Sequence, residues 1–239
     1  LKFEGIEILC QTIILNSHTG SAVMNRFFTK ISQVVTKKHL KNIGLLVSFG
    51  GALLLSSSNV IAKSESTKLD NITEETFSCI RDMTKVKHFY VDNLLGDVDA
   101  TIAVAESTDG GVYPPGSVVQ LVPGEVMIKR AKGFNVATKD WEFFELNVSP
   151  EGTEINTRGF ANVVNKFGGN CFACHVQAKP QFDLICEDSH GCDPIPINRT
   201  MIAALQNTDA RCDAMPLPED QQMALKQLMQ MMSAAPKPE

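Results

Sequence analysis

A chain of 239 residues with 44 % hydrophobic and 21 % charged side chains has the make-up of a globular domain, which excludes a fibre or a wholly disordered tail. Its 22 basic against 27 acidic groups give a formal charge of -5, basic runs are short and aromatics are few, so nucleic acid is not an expected partner. Sixteen Gly, eleven Pro and seven Cys suit a loop-rich fold under covalent constraint.

The chain opens with a segment, 1–23, that precedes the first Met and is read as upstream, non-native sequence. Residues 24–62 then have the order of a secretory signal peptide. Arg26, Lys30, Lys37, Lys38 and Lys41 form a positive region, Ile43 to Leu55 an apolar run of thirteen residues, and Val60-Ile61-Ala62 a small-residue cleavage pattern before Lys63. Such a run is shorter than the roughly 20 residues a membrane-spanning helix needs, so no stable span is expected after cleavage. Removal of 1–62 leaves 16 basic against 25 acidic groups. The expectation is one exported, periplasmic domain over 63–239, in a compartment where disulfides persist.

Within that domain, Asn71 to Met83 predicts a short amphipathic helix, with Glu74 and Glu75 in its first turn and Phe77, Ile80 and Met83 on one face. Residues 98–105, 117–122, 125–132 and 140–148 predict antiparallel strands, a Pro123-Gly124 turn joining the second to the third. In the last of these Trp141 and Phe143 alternate with Glu142, Phe144, Leu146 and Val148, so apolar groups on both sides predict a sheet covered on both faces. After a turn at 150–152, residues 160–167 predict a helix stopped by Gly168-Gly169. A Cys-rich extension occupies 186–212. Within it a helix capped by Asn198 is predicted over 199–206, and beyond it a last helix opened by Pro218 runs to about Met232. The fold class expected is α+β: a mainly antiparallel β body with short helices and a helical C-terminal segment.

The chemistry starts after Gly169. Residues 171–175 read Cys-Phe-Ala-Cys-His, the C-x-x-C-H arrangement by which c-type haem is attached. On one helical turn Cys171 and Cys174 reach the two vinyl groups on one porphyrin edge, and His175 supplies the proximal iron ligand. The motif occurs once, so one haem c per chain follows. The rival readings are a thioredoxin-like cysteine pair, which requires a βαβ context, a zinc site recruiting Cys186, His190 and Cys192, and structural thiols. The four other cysteines of the exported domain are expected to form two disulfides. Three pairings are open, with Cys186–Cys192 and Cys79–Cys212 favoured because the first is local and the second pins an early segment to the tail.

The sixth position of the iron would decide the function. Met215 is the foremost protein candidate. It lies forty residues after His175, beside Pro216, in an order that resembles small class I cytochromes c over the last seventy residues. Met127, Met201, His88 and His190 are further candidates. Over about 110–185 the chain is similar to a different group. The stretch Pro123-Gly124-Glu125-Val126-Met127-Ile128-Lys129, the Trp141-Glu142-Phe143-Phe144 strand and a late C-x-x-C-H followed by Ala178 and Asp183 resemble the P-460 cytochromes and their cytochrome c′-beta relatives. That resemblance implies a mostly antiparallel β fold and an open or apolar-walled distal site. It also implies Lys129 as a cross-link or distal residue, Trp141, Phe143 and Phe144 as pocket walls, and chemistry on nitric oxide or hydroxylamine. Asp183 and Glu187 would lie near the haem. The Cys-rich extension and the Met-rich last helix depart from the pattern.

Three functions are therefore open: small-ligand or oxidoreductase chemistry at an open iron, electron transfer by a six-coordinate haem, and a non-redox, disulfide-stabilised binding module. Expected partners are a redox protein docking on the acidic surface or a small-molecule ligand, with a homodimer as a further candidate.

Overall fold

A six-stranded antiparallel meander organises the domain, in the order β1-β2-β3-β4-β5-β6. The computed structural model describes residues 68–234, the side chains to 233, all within the compact unit Ala52–Glu239. The leader over 24–62 and the segment 1–23 lie outside the described residues. The strands are β1 (Thr84–Val86), β2 (Phe89–Asn93), β3 (Ser117–Val122), β4 (Glu125–Lys129), β5 (Trp141–Ser149) and β6 (Gly152–Gly159). The α-helices that follow position 70 among the described residues are α1 (Val98–Glu106), α2 (Cys171–His175), α3 (Arg199–Asn207) and α4 (Glu219–Ala234). The fold is α+β, as the residue pattern predicts, and no described helix is long and apolar enough to cross a membrane.

The alternation of side chains along the strands gives the sheet two distinct faces. One face carries Phe89, Val91, Val119, Met127, Trp141 and Phe143, and is covered by α1, by Tyr113 and by the segment Leu184-Ile185. The opposite face carries Val118, Val126, Ile128, Phe144 and Leu146 and packs against Ile72 and Phe77. A third cluster, with Ile197, Met201, Ile202, Ala224 and Leu228, joins α3 and α4 to the end of β3 at Val122. Lys129 and Arg130 are consecutive and so fall on opposite faces; Lys129 meets Asp183 on the first, while Arg130 meets Glu142 on the second.

Three local expectations give way to stronger forces. Residues 98–105 form helix α1 rather than a strand. The Asp97 carbonyl accepts from both the Thr101 amide and the Thr101 hydroxyl, and Thr101 and Ala105, four residues apart, are its buried positions. Burial at helical spacing outweighs the weak strand preference of Val and Ile. Residues 71–83 form two single 3-10 turns, Glu74–Thr76 and Ile80–Asp82, instead of one helix. The Thr76 hydroxyl turns back onto the Thr73 amide and Phe77 is extended, while Cys79 is drawn away by its disulfide. Residues 160–167 hold no helix. The Asn165 side-chain oxygen accepts from the Phe167 and Gly169 amides, an Asx-type turn that competes with helical bonding, and Val164 bridges to Asn170 in antiparallel fashion. Strands β1 and β2 were not expected, and β6 is added to the sheet where the sequence signals only a turn and its exit.

The favoured disulfide pairing is the one that forms: Cys79–Cys212 and Cys186–Cys192. The first closes a sequence separation of 133 residues. Asp209 reinforces it, its carboxylate accepting from the Ile80 amide at 2.9 Å and from Arg211 Nη2 at 2.7 Å. Cross-linking so long a loop removes chain entropy from the unfolded state worth roughly 5 kcal/mol, against about 2 kcal/mol for the six-residue separation of the other bridge. Urea denaturation of Cys79→Ala/Cys212→Ala should accordingly show a larger loss of stability than Cys186→Ala/Cys192→Ala.

Candidate functional site

Helix α2 is a single turn made of the C-x-x-C-H motif itself. Asn170 caps it, its side-chain oxygen accepting from the Ala173 amide at 2.9 Å, and its amide group donates to the Ala161 carbonyl. The turn is thereby tied at its N-terminus to the loop that follows β6. Cys171 and Cys174 are three residues apart and hence on one side of the helix; both line a cavity of about 520 Å³. Among the described residues they are the cysteines outside the two disulfides. His175 completes the same wall, its ring 5.4 Å from that of Phe143.

The cavity lies between the first sheet face and the Cys-rich loop. Phe89, Val119, Leu121, Met127 and Phe143 line it from the sheet, and the Cys186–Cys192 bridge with Pro194 to Ile197 lines it from the loop. Its volume falls in the range of about 300–1,000 Å³ usual for small-molecule and cofactor sites.

The His175 ring is held from behind. Its Nδ1 lies 2.7 Å from the Leu184 carbonyl. Because a carbonyl only accepts, Nδ1 carries the proton and Nε2 keeps its lone pair. Burial pushes the His175 pKa below the ordinary histidine value, against the smaller opposing effect of that hydrogen bond, so the ring is neutral near pH 7. Burial, with the Glu125 charge second, pushes the Cys171 thiol up to about 12. A thiol of that kind is a poor nucleophile, the reverse of a thioredoxin-type cysteine, and the all-antiparallel sheet offers no βαβ unit.

The carbonyl that faces His175 belongs to an unusual corner. Asp183 and Leu184 are both left-handed, with φ of 50° and 67°, a conformation that costs about 1 kcal/mol or more per non-Gly residue. Several bonds offset it. Lys129 Nζ donates to Asp183 Oδ2 at 2.7 Å and to the Lys139 carbonyl at 2.7 Å. The Tyr113 amide donates to the same Asp183 oxygen at 2.9 Å, and Trp141 Nε1 donates to the Asp183 carbonyl at 2.7 Å. One residue further on, the Ile185 carbonyl accepts from His190 Nδ1 at 2.7 Å. Three consecutive carbonyls thus each receive a ring N–H.

The residues singled out from the sequence divide clearly. Cys171, Cys174 and His175 are brought together on the cavity wall, and Phe143, Met127 and His88 join them. Lys129 is not at the wall but buried in its pair with Asp183, so neither a cross-linking nor a distal position is what the structure gives it; burial lowers its pKa, against the pull of Asp183. Trp141 stands beside it in register and is wholly buried. Met215 is exposed and lies away from the cavity lining, its sulfur accepting from Arg81 Nη1 at 3.0 Å. Met201 is buried in the α3–α4 cluster. His190 stacks on Phe182 with centroids 3.6 Å apart. With Cys186 and Cys192 bonded to each other, the zinc array loses two of its three further ligands, and no group of three or more His, Cys, Asp or Glu among the described residues is arranged to hold a metal ion. Glu187 sits at the cavity with His88, Nε2 to Oε1 being 2.9 Å.

Sequence reasoning missed Glu125. It opens β4 at the cavity wall, directly opposite Glu145 on β5. The signal was two carboxylates in register on neighbouring strands, readable only once the pairing is known. Comparisons with protein-family models, with curated proteins and with solved structures return no match.

Burial, and then the Glu145 charge, push the Glu125 pKa up to about 7 from 4.5, with Lys166 opposing. The unfolded chain releases this proton near 4.5 and the folded chain near 7, so between those values the folded state binds more protons and its stability falls as pH rises. Glu125→Gln should therefore match the wild type below pH 4.5 and exceed it by on the order of 1–3 kcal/mol above pH 7, a difference that urea denaturation across the range will read.

Proposed function

We propose that this chain is an exported mono-haem c-type cytochrome of the P-460 or cytochrome c′-beta kind, with Cys171 and Cys174 carrying the haem covalently and His175 as proximal ligand. The observation that supports this best is the conjunction at one cavity: two cysteines outside the disulfides on one helical turn, and an adjoining imidazole whose Nδ1 proton is already committed to the Leu184 carbonyl at 2.7 Å. The donor set and the mainly apolar walls fit the group. When bound, haem supplies one-electron chemistry and a metal centre open to small ligands.

The chain's own residues would do the rest. Cys171 and Cys174 anchor, His175 offers Nε2, and the Leu184 carbonyl fixes the ring and raises its basicity as a ligand. Phe143 and the sheet face exclude water. The other wall donors are engaged elsewhere: Met127 packs in the sheet-face cluster and His88 Nε2 is at 2.9 Å from Glu187. Met215 faces Arg81 instead of the cavity. This favours small-ligand chemistry, on species such as nitric oxide or hydroxylamine, over a six-coordinate electron carrier.

The test is the visible spectrum of the full chain, exported with the haem-attachment machinery, oxidised and reduced, with and without carbon monoxide, beside a haem stain after denaturing electrophoresis. The expected result is one covalent haem whose reduced spectrum shifts with carbon monoxide, unchanged in Met215→Ala. A covalent haem indifferent to carbon monoxide would assign the electron-carrier role instead; folded protein without haem would leave the disulfide-stabilised binding module.

A further inference from the structure

We propose that Lys129 and Asp183, with Trp141, form a positioning unit for His175, acting through the Leu184 carbonyl; its value to iron ligation rests on the haem reading above. Lys129 and Trp141 are register partners across β4 and β5, and both are buried. From adjacent positions on the rigid sheet they grip the two ends of one residue. Lys129 holds the Asp183 side chain and Trp141 holds its backbone carbonyl, each at 2.7 Å.

That double grip determines the direction of the next carbonyl. With Asp183 and Leu184 both left-handed, a small rotation at either residue would swing the Leu184 oxygen off the His175 ring. The Tyr113 amide on Asp183 Oδ2 and the His190 ring on the Ile185 carbonyl restrain the corner from its two flanks. A buried ammonium is an expensive way to hold a loop, and a hydrophobic pair would often be as stable. The ion pair provides direction: it fixes one carboxylate oxygen relative to the sheet, and so fixes which nitrogen of His175 carries the proton. Lys129 thus acts at a distance from the cavity and touches no ligand in it.

The experiment reads the His175 ring by nitrogen NMR in the haem-free full chain, where the protonated and unprotonated ring nitrogens give separate signals. The wild type is expected to show one tautomer, with Nδ1 protonated. Lys129→Met/Asp183→Asn removes both charges together and so leaves no buried unpaired ion; its ring signals are expected to shift towards each other as the tautomers mix. Trp141→Phe, which loses only the grip on the carbonyl, should shift them in the same direction and serves if the double variant does not fold. Arg130→Met breaks the comparable buried pair on the opposite sheet face and should destabilise without moving the ring signals. Unshifted signals in a folded double variant and in Trp141→Phe would overturn the proposal. So would a shift in Arg130→Met as large as theirs, since the effect would then be general loosening. Absence of covalent haem from the wild type defeats the haem reading alone, because the ring measurement is made without haem.

Discussion

The buried contact between Lys129 and Asp183 is the constraint on which the site depends. An ammonium and a carboxylate, both almost fully removed from water, must meet closely or not be there at all, because leaving either alone costs several kcal/mol. Satisfying that demand draws the segment after the motif helix onto β4. The same segment then covers the sheet face with Leu184 and Ile185 and turns three successive carbonyls towards ring nitrogens. Core packing and the orientation of the histidine are therefore consequences of one electrostatic requirement.

The sheet divides its duties by face. On one side the buried Arg130–Glu142 pair and the exposed Arg158 form a network that closes the sheet against the N-terminal turns, with Arg158 also donating to the Ile72 carbonyl. On the other side the same strands present the aromatic and aliphatic wall of the cavity. Residues 141–146 show this arrangement in miniature: Trp141 and Phe143 join the core cluster of the cavity face, while Phe144 and Leu146 join that of the opposite face, Phe144 still reaching the cavity lining. A surface built this way is stiff because its backbone is hydrogen-bonded on both edges and its two sides are both filled.

Much of this was legible in the residues and some was not, for identifiable reasons. The α+β class, strands β3 to β5 and helices α3 and α4 follow from local patterns, which are short-range signals, whereas cysteine spacing favoured the disulfide pairing that forms without choosing it among three. The motif Cys171–His175 is likewise self-contained. The helix at 98–106 was hidden because Thr101 is fixed by Asp97 and by burial against Asn93 and Ser117, contacts that a β-branched run does not advertise. Strands β1 and β2 are short, and only their neighbours make them strands. Lys129 illustrates the limit best: a lysine within a strand looks the same whether it faces solvent, a cavity or a carboxylate fifty-four residues on.

The partial burial of Cys171 bears on the order in which its pair of thiols can react. Six cysteines fall after position 62, and four must be oxidised while two remain thiols. Thiol–disulfide exchange runs through thiolates, and a thiol pushed up to about 12 is almost never in that form at neutral pH. Cys171 is therefore a slow attacking thiol, and exchange at this pair has to begin from the exposed Cys174. Two cysteines on one helical turn thus differ in kind: a reagent arriving at the pair meets Cys174 first, and Cys171 answers only after it.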